Sequence, residues 1–132
     1  MTEQEVLELA IKEPEKFKEY FKSLLDNGPH IANPKDAVAC AKALAELDAD
    51  YAIPALERLM TDPEPKVRLA SIEGLSYHTY DERAMIALNK AIDDKDDAVK
   101  EAAEDSILLE QSLNEGMDDF ESDEEILRST PG

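Results

Sequence analysis

Apolar residues recur along this chain three and four positions apart, the period of helices packed by one face, and no stretch alternates as a strand does. Thr2 and Glu5 have capping-box spacing and open a first short helix through about Ile11. Pro14 suits the first turn of a second helix, with Phe17, Phe21, Leu24 and Leu25 on one face and Asn27 and Gly28 as its stop. Pro29 and Pro34 keep the connection non-helical. A third helix is predicted from about Lys35 to Leu47, turning Ala37, Cys40, Ala41 and Leu44 inward. Asp50 is read as the cap of a fourth, reaching Met60 with Ile53, Leu56 and Leu59 inward. Asp62 and Pro63 break the chain, and a fifth helix runs from Pro65 to about Ser76. Asp81 caps a sixth, carrying Met85, Leu88 and Ile92. A seventh runs from Asp97 through Val99, Ala102, Ala103 and Ile107 to about Leu113. The predicted fold class is all-α.

The helices repeat. Sliding the chain by 32 residues places Ala52, Ala55, Leu56, Met60 and Asp62 on Ala84, Ala87, Leu88, Ile92 and Asp94. The same slide places Val67, Ala70, Ser71 and Leu75 on Val99, Ala102, Ala103 and Ile107. A slide of 31 places Ala39, Cys40 and Leu44 on Ala70, Ser71 and Leu75. Two helices per period of about 32 predict a short α-solenoid, in which each hairpin buries its apolar face against its neighbours. Ala and Ser at the paired positions let successive helices approach closely.

The run AIPALERLMTDPEPKVRLASIEGL, Ala52 to Leu75, resembles the short HEAT-like repeats first associated with phycobilisome lyases. The matching elements are Ala52 to Leu56, the Asp62–Pro63 turn, and Val67, Arg68 and Ala70; the next copy keeps Asp94 and Val99 and has Lys100 for the arginine. The resemblance implies a hydrogen-bonded ladder between turns, with Asp62–Arg68 and Asp94–Lys100 as the candidate pairs, each six residues apart. It covers Pro34 to Leu109. The expected organisation is a capping helical hairpin over 1–33, HEAT-like repeats over 34–113 and a flexible acidic tail over 114–132.

Charge then narrows the function. The 132 residues hold 32 acids against 14 bases, a net of −18. The excess is −3 over residues 1–30, −5 over 31–100 and −10 over 101–132, where Arg128 is the single base. Such a balance argues against direct nucleic-acid binding and against attraction to an anionic membrane. It also sets the chain apart from the HEAT-like DNA glycosylases, which need a basic face. Met1 to Glu13 carries four acids and no basic leader region, and no apolar run is long enough to span a bilayer, so a cytoplasmic protein is expected.

Catalytic and metal chemistry find little footing. Cys40 lies on an apolar helix face, His30 in a Gly-Pro loop and His78 beside Tyr77 and Tyr80, and no HExxH, glycine-rich phosphate loop or GxSxG appears. The Asp93, Asp94, Asp96 and Asp97 turn has Lys95 and Ala98 where a calcium loop needs a ligand and a glycine. No enzyme activity, cofactor or metal is expected. The function read from the sequence is a non-enzymatic protein-interaction module that binds and blocks a basic partner. That partner is a toxin met by an immunity protein, or a nucleic-acid-binding complex met by a mimic of its ligand. The alternative is an adaptor or chaperone-like scaffold, distantly bilin-lyase-like. The partner-binding residues are then Asp93, Asp94, Asp96, Asp97, Glu101, Glu104 and Asp105, with Asp118, Asp119, Glu121, Asp123, Glu124 and Glu125 of the tail.

Overall fold

The computed structural model describes residues 1–26 and 28–127, with the side chains of 113–127 outside that description. Among the described residues the secondary structure is helical throughout: α1 (Glu3–Lys12), α2 (Pro14–Leu24), α3 (Pro34–Leu44), α4 (Ala49–Leu59), α5 (Pro65–Leu75), α6 (Glu82–Ala91) and α7 (Asp97–Leu127), with one 3-10 turn at Ser76–His78.

Local chemistry sets most of the starts. At α1 the Thr2 hydroxyl accepts from the Glu5 N–H and the Glu5 carboxylate accepts from the Thr2 N–H, closing a capping box. Proline occupies the first position of α2, α3 and α5, where its missing N–H leaves no bond unmade. Asn33 caps α3 and Asp81 caps α6 through their side chains. The cap of α4 is Asp48, not Asp50: the Asp48 carboxylate accepts from the Tyr51 N–H, and Asp50 inside the first turn takes Arg83 instead. Helix α3 closes at Leu44, three residues before the predicted Leu47, because Ala45–Leu47 form the turn that carries the chain to that cap.

The odd-numbered helices form one layer, α1 against α3, α3 against α5 and α5 against α7. The even-numbered helices α2, α4 and α6 form the second layer, each packed beside its hairpin partner. The first layer is the tighter one, and its side chains say why. Helix α3 buries Ala37, Ala39, Cys40, Ala41 and Ala43, and α5 answers with Ala70, Ser71 and Gly74. Larger residues, Ile53, Leu56, Leu59 and Leu88, fill the space between layers. Phe17 and Phe21 stack at 6.0 Å and close the core at the α2 end.

Gly74 marks a close approach of α5 to α3 and α4. A Cβ built there would lie 2.8 Å from Leu56 Cδ2 and 2.9 Å from the Ala41 carbonyl oxygen. Replacing a mid-helix glycine by alanine ordinarily stabilises by about 1 kcal/mol. Here the backbone of α3 cannot give way, so Gly74→Ala is expected to destabilise by about 1–3 kcal/mol, the range for overpacking. Urea unfolding checks the sign.

Helix α7 runs past Leu113, where the sequence placed its end, and its backbone is helical to Leu127. No proline interrupts residues 97–127, and Gly116 alone costs about 1 kcal/mol, too little to stop a helix. The tail expected over 114–132 therefore begins as helical backbone. Residues 128–132, and the side chains from 113 onward, lie outside the described part.

Candidate interaction surface

The turns α2–α3, α4–α5 and α6–α7 recur along one edge of the array, and the ladder residues meet there. Arg68, buried in the first turn of α5, donates from Nε to Asp94 Oδ2 at 2.9 Å and from Nη2 to Asp94 Oδ1 at 3.1 Å. Its Nη1 donates to the backbone carbonyls of Asp62 at 2.9 Å and Pro63 at 3.1 Å. The guanidinium thus spans two turns, gripping its own through carbonyls and the next through a fork-to-fork carboxylate pair. Burial raises the Asp94 carboxyl, but the bonds from Arg68 and the Asp96 N–H outweigh that and hold it below the ordinary carboxylate range.

This geometry differs from the pairing inferred from sequence. Asp62 and Arg68 join, but through the Asp62 main chain. The Asp62 carboxylate accepts from the Glu64 N–H instead. Asp94 pairs with Arg68 rather than Lys100, and exposed Lys100 makes no ion pair among the described residues.

The acidic residues singled out near α7 separate by task. Asp94 is taken by Arg68. Asp96 turns inward as a cap, its Oδ1 accepting from the Ala98 and Val99 N–H groups. Both are half-buried. Asp93, Asp97, Glu101, Glu104 and Asp105 are exposed, and from Asp97 onward their spacing of four, three and one sets them on one strip of α7. Leu108 and Leu109, which the sequence reading passed over, continue that face at 59% and 63% exposure. Their signal was available: Ile107 takes the half-buried position against the core, and the next two residues of a helix turn away from it. Asp118, Asp119, Glu121, Asp123, Glu124 and Glu125 lie on the same helical backbone, with side chains outside the described residues.

The other chemical candidates are occupied. Cys40 is fully buried, and burial, with Asp36 nearby, pushes its thiol up to about 12, so it is protonated at neutral pH. His78 is buried, with Nε2 3.2 Å from the Leu44 carbonyl and Nδ1 3.1 Å from the Tyr80 hydroxyl. A carbonyl only accepts, so Nε2 carries the proton and satisfies the C-terminal end of α3. Arg83 Nη2 lies 2.8 Å from both Asp81 and Asp50; its bonds hold the Asp81 carboxyl down at about 2. Among the described residues no group of three or more His, Cys, Asp or Glu is placed to hold a metal ion. Nor is any helix there long and apolar enough to cross a membrane.

A family model of HEAT repeats matches residues 24–107, from the end of α2 into α7. No curated protein and no solved structure matches the chain.

Proposed function

The chain belongs to the HEAT-repeat family, and we propose that it is an acidic interaction module that binds and blocks a basic protein. The family fold is generally a non-enzymatic scaffold for protein contacts, and its curved stacks offer extended binding surfaces. The finer reading rests on the exposed strip Asp97, Glu101, Glu104 and Asp105 of α7, with Asp93 beside it and Leu108 and Leu109 following. Carboxylates in a row present to a Lys/Arg-lined surface what a nucleic-acid backbone presents, and they accelerate encounter. The two leucines add apolar area that a fully charged strip lacks, and desolvated contacts of that kind slow dissociation. A basic toxin or a nucleic-acid-binding complex fits such a face, and the setting expected for it is cytoplasmic.

Because Asp94 and Asp96 hold the fold, the informative variant leaves them in place. It combines Asp93→Asn, Asp97→Asn, Glu101→Gln, Glu104→Gln and Asp105→Asn. Affinity capture from the host by the wild type is expected to return a basic protein that elutes with rising salt, and the neutralised variant is expected to lose it. An adaptor or scaffold role instead predicts capture that survives both salt and neutralisation.

A further inference from the structure

One rung of the ladder is built but lacks its arginine. The Arg68 rung has three acceptors: the Asp62 and Pro63 carbonyls, six and five residues before the arginine, and the carboxylate of Asp94 in the next turn. Moved back one repeat, by 31 residues for helix and carbonyls and 32 for the carboxylate, these become Ala37, the carbonyls of Ile31 and Ala32, and the carboxylate of Asp62. Ile31, Ala32 and Asp62 line one open cleft of about 460 Å³, together with Gly28, His30 and Glu64. Asp62 is only 5% exposed, an unusual place for a carboxylate, and the one hydrogen bond its carboxylate receives among the described residues comes from the Glu64 N–H. Neither the Ile31 nor the Ala32 carbonyl receives a hydrogen bond among the described residues. Ala37 has no side chain to reach any of these acceptors.

We propose that this cleft receives the guanidinium of an arginine presented by a partner protein, docked on the Asp62 carboxylate and the Ile31 and Ala32 carbonyls as Arg68 is docked one repeat later. The chemistry selects arginine over lysine. A planar fork meets a carboxylate with two parallel bonds and keeps a further N–H pair for the carbonyls, which an ammonium cannot reproduce. Glu64 adds a second negative charge at the rim. The site lies in the α2–α3 and α4–α5 turns and needs nothing from the α7 strip, so it stands or falls separately from the proposed blocking of a basic protein.

Nuclear magnetic resonance titration of the full chain with arginine amide and lysine amide tests it. Arginine amide is expected to shift the amide signals of Ile31, Ala32, Asp62 and Glu64 saturably, at least tenfold more tightly than lysine amide, and Asp62→Asn should abolish the effect. Ala37→Arg is expected to supply the missing side chain, raise the melting temperature and close the cleft to the probe, and Asp62→Asn in that background should cancel the gain. Should Ala37→Arg fail to fold, the comparison of wild type with Asp62→Asn still decides. Equal shifts with the two amides, no saturation, or shifts that persist in Asp62→Asn would overturn the proposal.

Discussion

Arg68→Ala is expected to cost about 3–5 kcal/mol, the range for removing one member of a buried ion pair. The loss exceeds a contact deleted from the surface because three acceptors are stranded at once. The Asp94 carboxylate loses both forked bonds, and the Asp62 and Pro63 carbonyls lose their donor. Arg68→Lys is expected to recover only part, since an ammonium cannot bridge carboxylate and carbonyls together. Asp94→Asn should cost less than Arg68→Ala, because the amide oxygen can still accept from Arg68 and from the Asp96 N–H. Urea unfolding of the two single variants and the double variant gives the coupling energy directly. The pair also sets an acid limit. The folded Asp94 carboxyl ionises below its ordinary value, so it binds fewer protons than in the unfolded chain. Its contribution is full above the unfolded value of about 3.9 and drains away as pH falls through the lower folded value. Asp94→Asn should flatten that part of the acid limb.

Leu56→Ala and Leu88→Ala are the second pair of large effects, about 2–5 kcal/mol each. Both side chains are fully buried at equivalent positions of α4 and α6, facing the odd-numbered layer. Leu56 packs against Gly74, so its removal opens space at the close crossing of α5 with α3 and α4. That location has a further consequence for the double variant. In Gly74→Ala with Leu56→Ala, the new Cβ meets no leucine and one clash is relieved. The clash with the Ala41 carbonyl remains, so the two costs should combine to less than their sum while staying above that of Leu56→Ala alone. Chemical denaturation of the four proteins supplies the cycle.

The architecture was legible because a solenoid writes its period into the sequence. The 31- and 32-residue slides align positions that the fold does bury together, such as Leu56 with Leu88 and Ser71 with Ala103. Side-chain destinations were less legible. Asp48 and Asp50 are both acids at a helix start, and the choice between them is made by Arg83, 33 residues beyond Asp50. The six-residue spacing of Asp62 and Arg68 showed that they belong together, but a spacing cannot say whether the guanidinium takes the carboxylate or the carbonyl. Here it takes the carbonyl, because the carboxylate of the next turn lies within reach. A dense run of acids at 93–97 looked uniform, yet two of the four are spent on capping and pairing. His78 carried no signal of burial either, since its partner is a helix-end carbonyl 34 residues away.

The most direct test of the interaction reading is the association rate constant of the captured partner, measured by stopped-flow from about 0.01 M to about 1 M ionic strength. Across that span the Debye length contracts from about 30 Å to about 3 Å. If the α7 strip steers a basic protein, the wild-type rate should fall steeply with salt, by a factor of about 10 or more. The variant neutralised at Asp93, Asp97, Glu101, Glu104 and Asp105 should start low and stay nearly flat. A wild-type rate indifferent to salt, or a variant that associates as fast as the wild type at low ionic strength, would contradict the account.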